Sequence, residues 1–369
     1  MKKIVTLSIL VALILALGAG CIPWQDVDKK RPRPTSKPVA GISKDALLAK
    51  STLSSQGQGL YEKICDAIEK QETFFEFEED VTISKVKKIV ASVQADRPQY
   101  FWFENYLWYA NEGSQLVNKL ELKYTCTQKE RQRRQAIIND YYGSFAKGVS
   151  QNASEYTRLK YTHDYVINNT QYDLDSADNQ NIVSVFVNGK SVCAGYARAM
   201  QYLLKKQGIR CAYINGVAKG RGSHAWNIVV IDGATYYVDA TWDDPAFGGE
   251  QRKNYISYSY FCVTTKEIVK THTAKGNLIK FPNCTATAAN YFIKEGLYFR
   301  DLGNASADAM KTALYKAINE GTTFFAAKFG SAALVDEALQ QVLHYEVFAG
   351  TSVTYSKDPN NNVLVIFLN

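Results

Sequence analysis

The 369-residue sequence predicts an α+β chain: a helix that opens on a cysteine and packs on an antiparallel sheet, with a small α/β module on either side. Three observations carry this reading. Cys193-Ala194-Gly195-Tyr196-Ala197-Arg198-Ala199-Met200-Gln201-Tyr202-Leu203-Leu204 reads as a helix closed by Gly208. Two apolar runs then meet at Asp232-Gly233, a dipeptide suited to a two-residue hairpin because both turn positions need positive φ. On both sides of this region short β-rich runs alternate with amphipathic stretches.

At the start, Met1-Lys2-Lys3 precedes an apolar run over 4–17 and the small residues Gly18-Ala19-Gly20 before Cys21. This pattern reads as an export signal, and the run is shorter than the roughly 20 apolar residues of a spanning helix. A cysteine directly after small residues resembles the bacterial lipobox, although Gly18 stands where that motif usually has leucine. On this reading Cys21 is lipidated and anchors an exported protein to the outer face of the cell membrane; without lipidation the protein is secreted. Residues 22–55 include Lys29-Lys30-Arg31-Pro32-Arg33-Pro34, a basic, proline-rich stretch that cannot build a core and reads as a semi-rigid tether.

Residues 56–128 read as the first α/β module. A helix is expected over 57–69 and a strand over 73–77. A second helix follows from the spacing of Ile83, Val86, Ile89, Val90 and Val93, and Arg97-Pro98 stops it. The aromatic stretch 101–109 reads as the next strand, its rings filling a core. Helices over 129–146 and 155–168 then open a central domain spanning 129–282. Strands are expected over 210–217, 223–231 and 234–239. Beyond Pro282, residues 283–369 read as a second module: a strand ending at Phe299, helices over 310–318 and 332–342, a strand over 323–328, and two strands flanking Asp358-Pro359-Asn360-Asn361-Asn362. This tail echoes the strand-helix-strand order of 72–109 and suggests two related flanking modules.

With 46% hydrophobic and 21% charged residues the chain is globular rather than disordered. A formal net charge of +7, part of it from Lys2 and Lys3, is too small on so long a chain to argue for nucleic acid, and no nucleic-acid partner is expected. Seven cysteines at irregular spacing, with no Cys-x-x-Cys, argue against a zinc site; no metal or other cofactor is expected. If Cys21 is acylated and Cys193 reactive, Cys65, Cys126, Cys211, Cys262 and Cys284 remain, an odd set whose pairing sequence does not assign.

The chemistry concentrates between 183 and 247. Cys193 falls in the first turn of its helix, where unpaired N–H groups and a partial positive charge suit a nucleophilic sulfur and a developing oxyanion. A two-residue loop at Asp232-Gly233 pairs Ile231 with Ala234; extended down the ladder, Trp226 faces Asp239 and His224 faces Thr241. His224 and Asp239 become diagonal neighbours on one face, an imidazole and the carboxylate that would orient it. The bland alternative makes His224 a core histidine and Asp239 a strand-end cap. Asp243 and Asp244 are rival carboxylates, but before Pro245 they read first as a turn.

Ser191-Val192-Cys193-Ala194-Gly195-Tyr196-Ala197, Ser223-His224-Ala225-Trp226-Asn227 and Tyr237-Val238-Asp239-Ala240-Thr241-Trp242-Asp243 resemble, in order and spacing, the three motifs of bacterial transglutaminase-like domains. The resemblance covers about residues 155–265. It implies a papain-like core with Cys193 as nucleophile, His224 as general base and acid, and Asp239 as the orienting carboxylate. It also implies acyl transfer from an amide through a thioester, on a protein or peptide substrate, with a cell-wall or surface protein among the candidates. Hydrolysis is preferred to cross-linking of glutamine to amines, because no acidic clusters resemble the calcium loops of the regulated cross-linking enzymes. The oxyanion donors are read as the backbone N–H of Cys193 and, second, Tyr172. Trp226 and Trp242 are read as walls of the substrate cleft, with packing the fuller role for at least one. The competing reading is a surface module that binds a peptide or glycan without catalysis.

Overall fold

The first two helices are opened by short polar side chains. Ser54 accepts from the N–H of Gly57 to open α1 (Ser55–Lys70), and Thr82 accepts from Lys85 to open α2 (Ile83–Asp96). In the computed structural model, which describes residues 47–110, 113–244, 255–276, 278–350 and 352–368, these helices cover one antiparallel sheet. That sheet runs β1-β3-β2, from β1 (Phe74–Thr82), β2 (Phe103–Ala110) and β3 (Leu116–Tyr124). The central strand, β3, escapes the sequence reading because bulges on both ladders break its alternation: Val117 is buried, as are Leu120, three residues further on, and then Leu122.

The export signal, Cys21 and most of the tether lie outside the described residues. The tether ends sooner than residue 55. Leu47 and Ala49 are buried, and the N–H groups of Ala49 and Lys50, opening a 3₁₀ turn, donate to Asp96 at 2.8 and 2.9 Å. Apolar burial and a buried carboxylate acceptor thus hold residues 47–50 against α2.

After α3 (Gln128–Lys147) and α4 (Glu155–Asn168), β4 (Gln171–Tyr172) pairs in parallel with β5 (Lys190–Ser191) around α5 (Ile182–Phe186). The cysteine helix, α6 (Cys193–Lys206), leads into β6 (Cys211–Ala218), β7 (Gly222–Ile231) and β8 (Ala234–Val238). Then come α7 (Ala240–Asp243), α8 (Thr265–Ile268) and β9 (His272–Ala274), giving a sheet ordered β8-β7-β6-β9. Asp232 and Gly233 have φ of 50° and 79°, and Ile231 pairs with Ala234 as the hairpin requires. The ladder runs only to Asn227–Val238. The expected pairs Trp226–Asp239 and His224–Thr241 do not form, because Asp239 leaves the strand to cap α7.

The last part comprises α9 (Tyr291–Lys294), β10 (Tyr298–Phe299), α10 (Asn304–Asn319), β11 (Phe324–Phe329), α11 (Ala332–Leu343), β12 (Thr354–Asp358) and β13 (Val363–Phe367). Its sheet runs β10-β11-β13-β12, with β10 and β11 parallel. The all-antiparallel β1-β3-β2 sheet has a different topology, so the strand order does not repeat between the two ends. The described residues belong to one compact unit.

Candidate active site

The first turn of α6 is seated by a close approach that only glycine permits. A Cβ on Gly195 would stand 1.9 Å from Ser191 Oγ and 2.4 Å from Ser184 Oγ, and those two hydroxyls are 2.7 Å apart. One turn past Cys193, the Tyr196 hydroxyl meets Asp244 Oδ2 at 2.7 Å and the Thr170 carbonyl at 2.9 Å, which ties the helix to the chain entering β4. Asn227 on β7 donates to the carbonyls of Ala197 and Ala212, at 2.9 and 3.2 Å. This buried amide therefore ties the helix to the strand that carries His224.

His224 Nε2 lies 2.6 Å from Asp239 Oδ2, and Cys193 is close enough to the ring to act on its charge. The Trp226 indole stacks on the ring, centroids 5.9 Å apart at 20°. Burial opposes charging of the imidazole, but the Asp239 carboxylate and the Cys193 sulfur outweigh it and carry the His224 pKa up to about 10. Burial likewise opposes ionisation of Asp239, yet the charge of His224 and hydrogen bonds from His224 and His272 hold this carboxyl well below the usual range.

Asp239 is both the strand-end cap and the partner of His224, one role per oxygen. Its Oδ1 accepts from the N–H groups of Thr241 and Trp242, at 3.0 and 3.2 Å, while Oδ2 faces His224. The rival carboxylates turn elsewhere: Asp243 Oδ2 lies 3.1 Å from Nε2 of the buried His163, and Asp244 is held by Tyr196.

Tyr172 packs with Cys193 in a small cluster with Val192, Ala194, Ala197, Ala225 and Tyr213. Its phenol pKa is raised, by burial first and then by the neighbouring Cys193, so it keeps its proton and remains a donor. Trp226, expected as a cleft wall, is only 2% exposed. It backs the imidazole from within the core, because β7 turns it towards Ile214 and Ile228. Trp242 is partly exposed and lies against His272 and Tyr260, with centroids 4.6 and 5.1 Å away.

One member of the site is absent from the sequence reading. His272 Nε2 lies 2.9 Å from Asp239 Oδ2, so two imidazoles share one carboxylate oxygen. The Thr-His-Thr segment has no apolar alternation to mark a strand, and only pairing of β9 with the edge of β6 brings it here. Among the described residues, His224, Asp239 and His272 form the one group with metal-ligand atom types within 4.8 Å of one another. Their contacts at 2.6 and 2.9 Å are hydrogen bonds; tetrahedral coordination would spread neighbouring donors to about 3.4 Å. The six described cysteines are all unpaired, with Cys65, Cys211, Cys262 and Cys284 buried.

Residues 143–240 match the family model described as the transglutaminase-like superfamily. Kyphoscoliosis peptidase of Mus musculus is 25% identical over 105 residues, which are 24% of this chain and 16% of that protein. Its Homo sapiens counterpart is 26% identical over 94 residues, 21% of this chain and 14% of that protein. This chain thus spans about a sixth of the length of the curated relatives it matches. A crystal structure of a TGase aligns over 49% of this chain and 52% of its own, at 15% identity and a TM-score of 0.28. The matched segment runs from the end of α3 to just past Asp239 and contains Cys193, His224 and Asp239: this chain carries a domain of the transglutaminase-like superfamily.

Proposed function

We propose that the protein is a cysteine-dependent hydrolase of peptide amide bonds. The observation that carries this is the seating of Cys193 at the N-terminus of α6, beside a histidine that a buried carboxylate holds. Sulfur attacks the amide carbonyl, and the His224 imidazolium gives its proton to the departing amine, leaving a thioester. Water then attacks the thioester, His224 takes one of its protons, and the C–S bond breaks to release the carboxylic acid and restore the Cys193 thiolate beside the imidazolium. Val192 gives α6 no side-chain cap, so the Cys193 N–H is suited to the oxyanion, with the Tyr172 hydroxyl as a second donor. The peptidase names of the curated relatives support water over an amine as acceptor.

Cleavage of a peptide library is measured beside incorporation of a labelled amine, with Cys193→Ala as the blank. Cleavage lost in the blank is expected. Amine incorporation without cleavage would replace hydrolysis by cross-linking, and product in neither assay would favour a binding module. The residues before the described part support a reaction outside the cell on a lipid-anchored protein; incorporation of labelled fatty acid that Cys21→Ser abolishes is the test.

A further inference from the structure

We propose that His272 is a positioning residue for the Cys193–His224 pair: by sharing Asp239 Oδ2 it fixes the direction of that carboxylate and limits how much of its charge His224 receives. The inference rests on the reading of Cys193 as nucleophile, and it concerns a residue outside the segment that matches the family model.

The geometry is closed on all sides. Asp239 takes two backbone N–H groups on Oδ1 and two imidazoles on Oδ2, so its acceptor capacity is filled and the carboxylate plane cannot turn. His272 is itself fixed: it is 2% exposed, its Nδ1 lies 2.8 Å from Thr271 Oγ1, and it pairs with Ala218 across the sheet. Its ring is boxed by Trp226, Trp242 and Tyr260 at 4.9, 4.6 and 5.3 Å. A buried imidazole with both nitrogens engaged acts on the pair through the hydrogen bond to Asp239, and its ring also lies 5.2 Å from that of His224. Two donors on one oxygen compete for its charge. Removing His272 therefore leaves the full carboxylate to His224, which then holds its proton to higher pH. The other titratable or charged groups near the pair are Asp243 on α7, Tyr172 on β4, Tyr213 on β6, Arg221 just before β7 and Tyr260 ahead of α8.

The test is the rate at which iodoacetamide modifies Cys193 in the full-length protein, followed by mass spectrometry from about pH 5 to about pH 11. His272→Phe keeps an aromatic ring in the box and removes the donor. His272→Gln restores a donor near the Nε2 position. His272→Asn is too short to reach Oδ2. The alkaline inflection is expected to rise by about one pH unit in His272→Phe and His272→Asn, and to stay within ~0.3 unit of wild type in His272→Gln. A lower melting temperature with an unmoved inflection in His272→Phe would make the role structural and overturn the proposal. Should His272→Phe fail to fold, equal inflections in the Asn and Gln variants would overturn it equally. If wild-type Cys193 shows no inflection that His224→Ala abolishes, the nucleophile reading itself falls; an intact inflection that ignores His272 sinks only the present inference.

Discussion

Four donors converge on the carboxylate of Asp239, and that convergence decides the behaviour of His224. A folded-state pKa of about 10, above the ordinary 6.5, means the imidazolium persists through neutral pH and loses its proton only towards pH 10. Hydrolysis is therefore expected to hold across neutral pH and fall on an alkaline limb near 10, since the proton for the departing amine is lost there; a limb near 6.5 in the pH profile would contradict the pairing. Asp239→Asn keeps the shape but removes the charge, and should lower turnover about 10²–10⁴-fold while Cys193 stays in place. Thiol labelling gives a second residue-scale check. Burial raises the pKa of Cys65 to about 11 and pushes Cys211, Cys262 and Cys284 upward, while Cys193 is partly exposed. A limiting alkylating probe at neutral pH should mark Cys193 first and partly exposed Cys126 next, as read by peptide mapping.

The elements of the site were legible in the sequence in proportion to how local their signals are. The register of β7 and β8 follows from Asp232-Gly233, because a two-residue turn with positive φ at both positions leaves one pairing. The α4 helix lies where its pattern and the Ser154 cap place it. Long-range contacts carry the rest, and they set what α6 tolerates. Gly195→Ala drives a methyl group into Ser191 and Ser184, which should tilt the first turn, cost about 1–3 kcal/mol and reduce Cys193 alkylation at least about tenfold. Denaturant unfolding and alkylation kinetics check both. Asn227→Ala unties α6 from the sheet and should cost about 1–3 kcal/mol by the same unfolding measurement, because the Ala197 and Ala212 carbonyls lose a buried donor.

Across the whole molecule, the cysteine helix is braced from the amino-terminal module. Arg198, Gln201 and Lys205, on one face of α6, donate to the carbonyls of Gln94, Ala95 and Asp96 at 2.7, 2.8 and 3.0 Å, meeting the unpaired carbonyl end of α2. At the other end of the chain, Lys328 on β11 pairs with Glu267 on α8, both largely buried. Replacing Arg198 and Gln201 together by alanine should lower unfolding free energy by about 2–4 kcal/mol, with the pH dependence of Cys193 alkylation unchanged, because the brace lies behind the helix rather than at its reactive end. Taken alone, the sequence determined the motif order, the helix that opens on Cys193 and the hairpin register, since each rests on short-range periodicity or turn chemistry. Only the tertiary structure decided that Asp239 leaves its strand to cap α7, that Trp226 faces the core and that His272 joins the carboxylate. Those outcomes depend on the pairing of β9 with β6 and on burial across segments far apart in the chain, which no local pattern encodes.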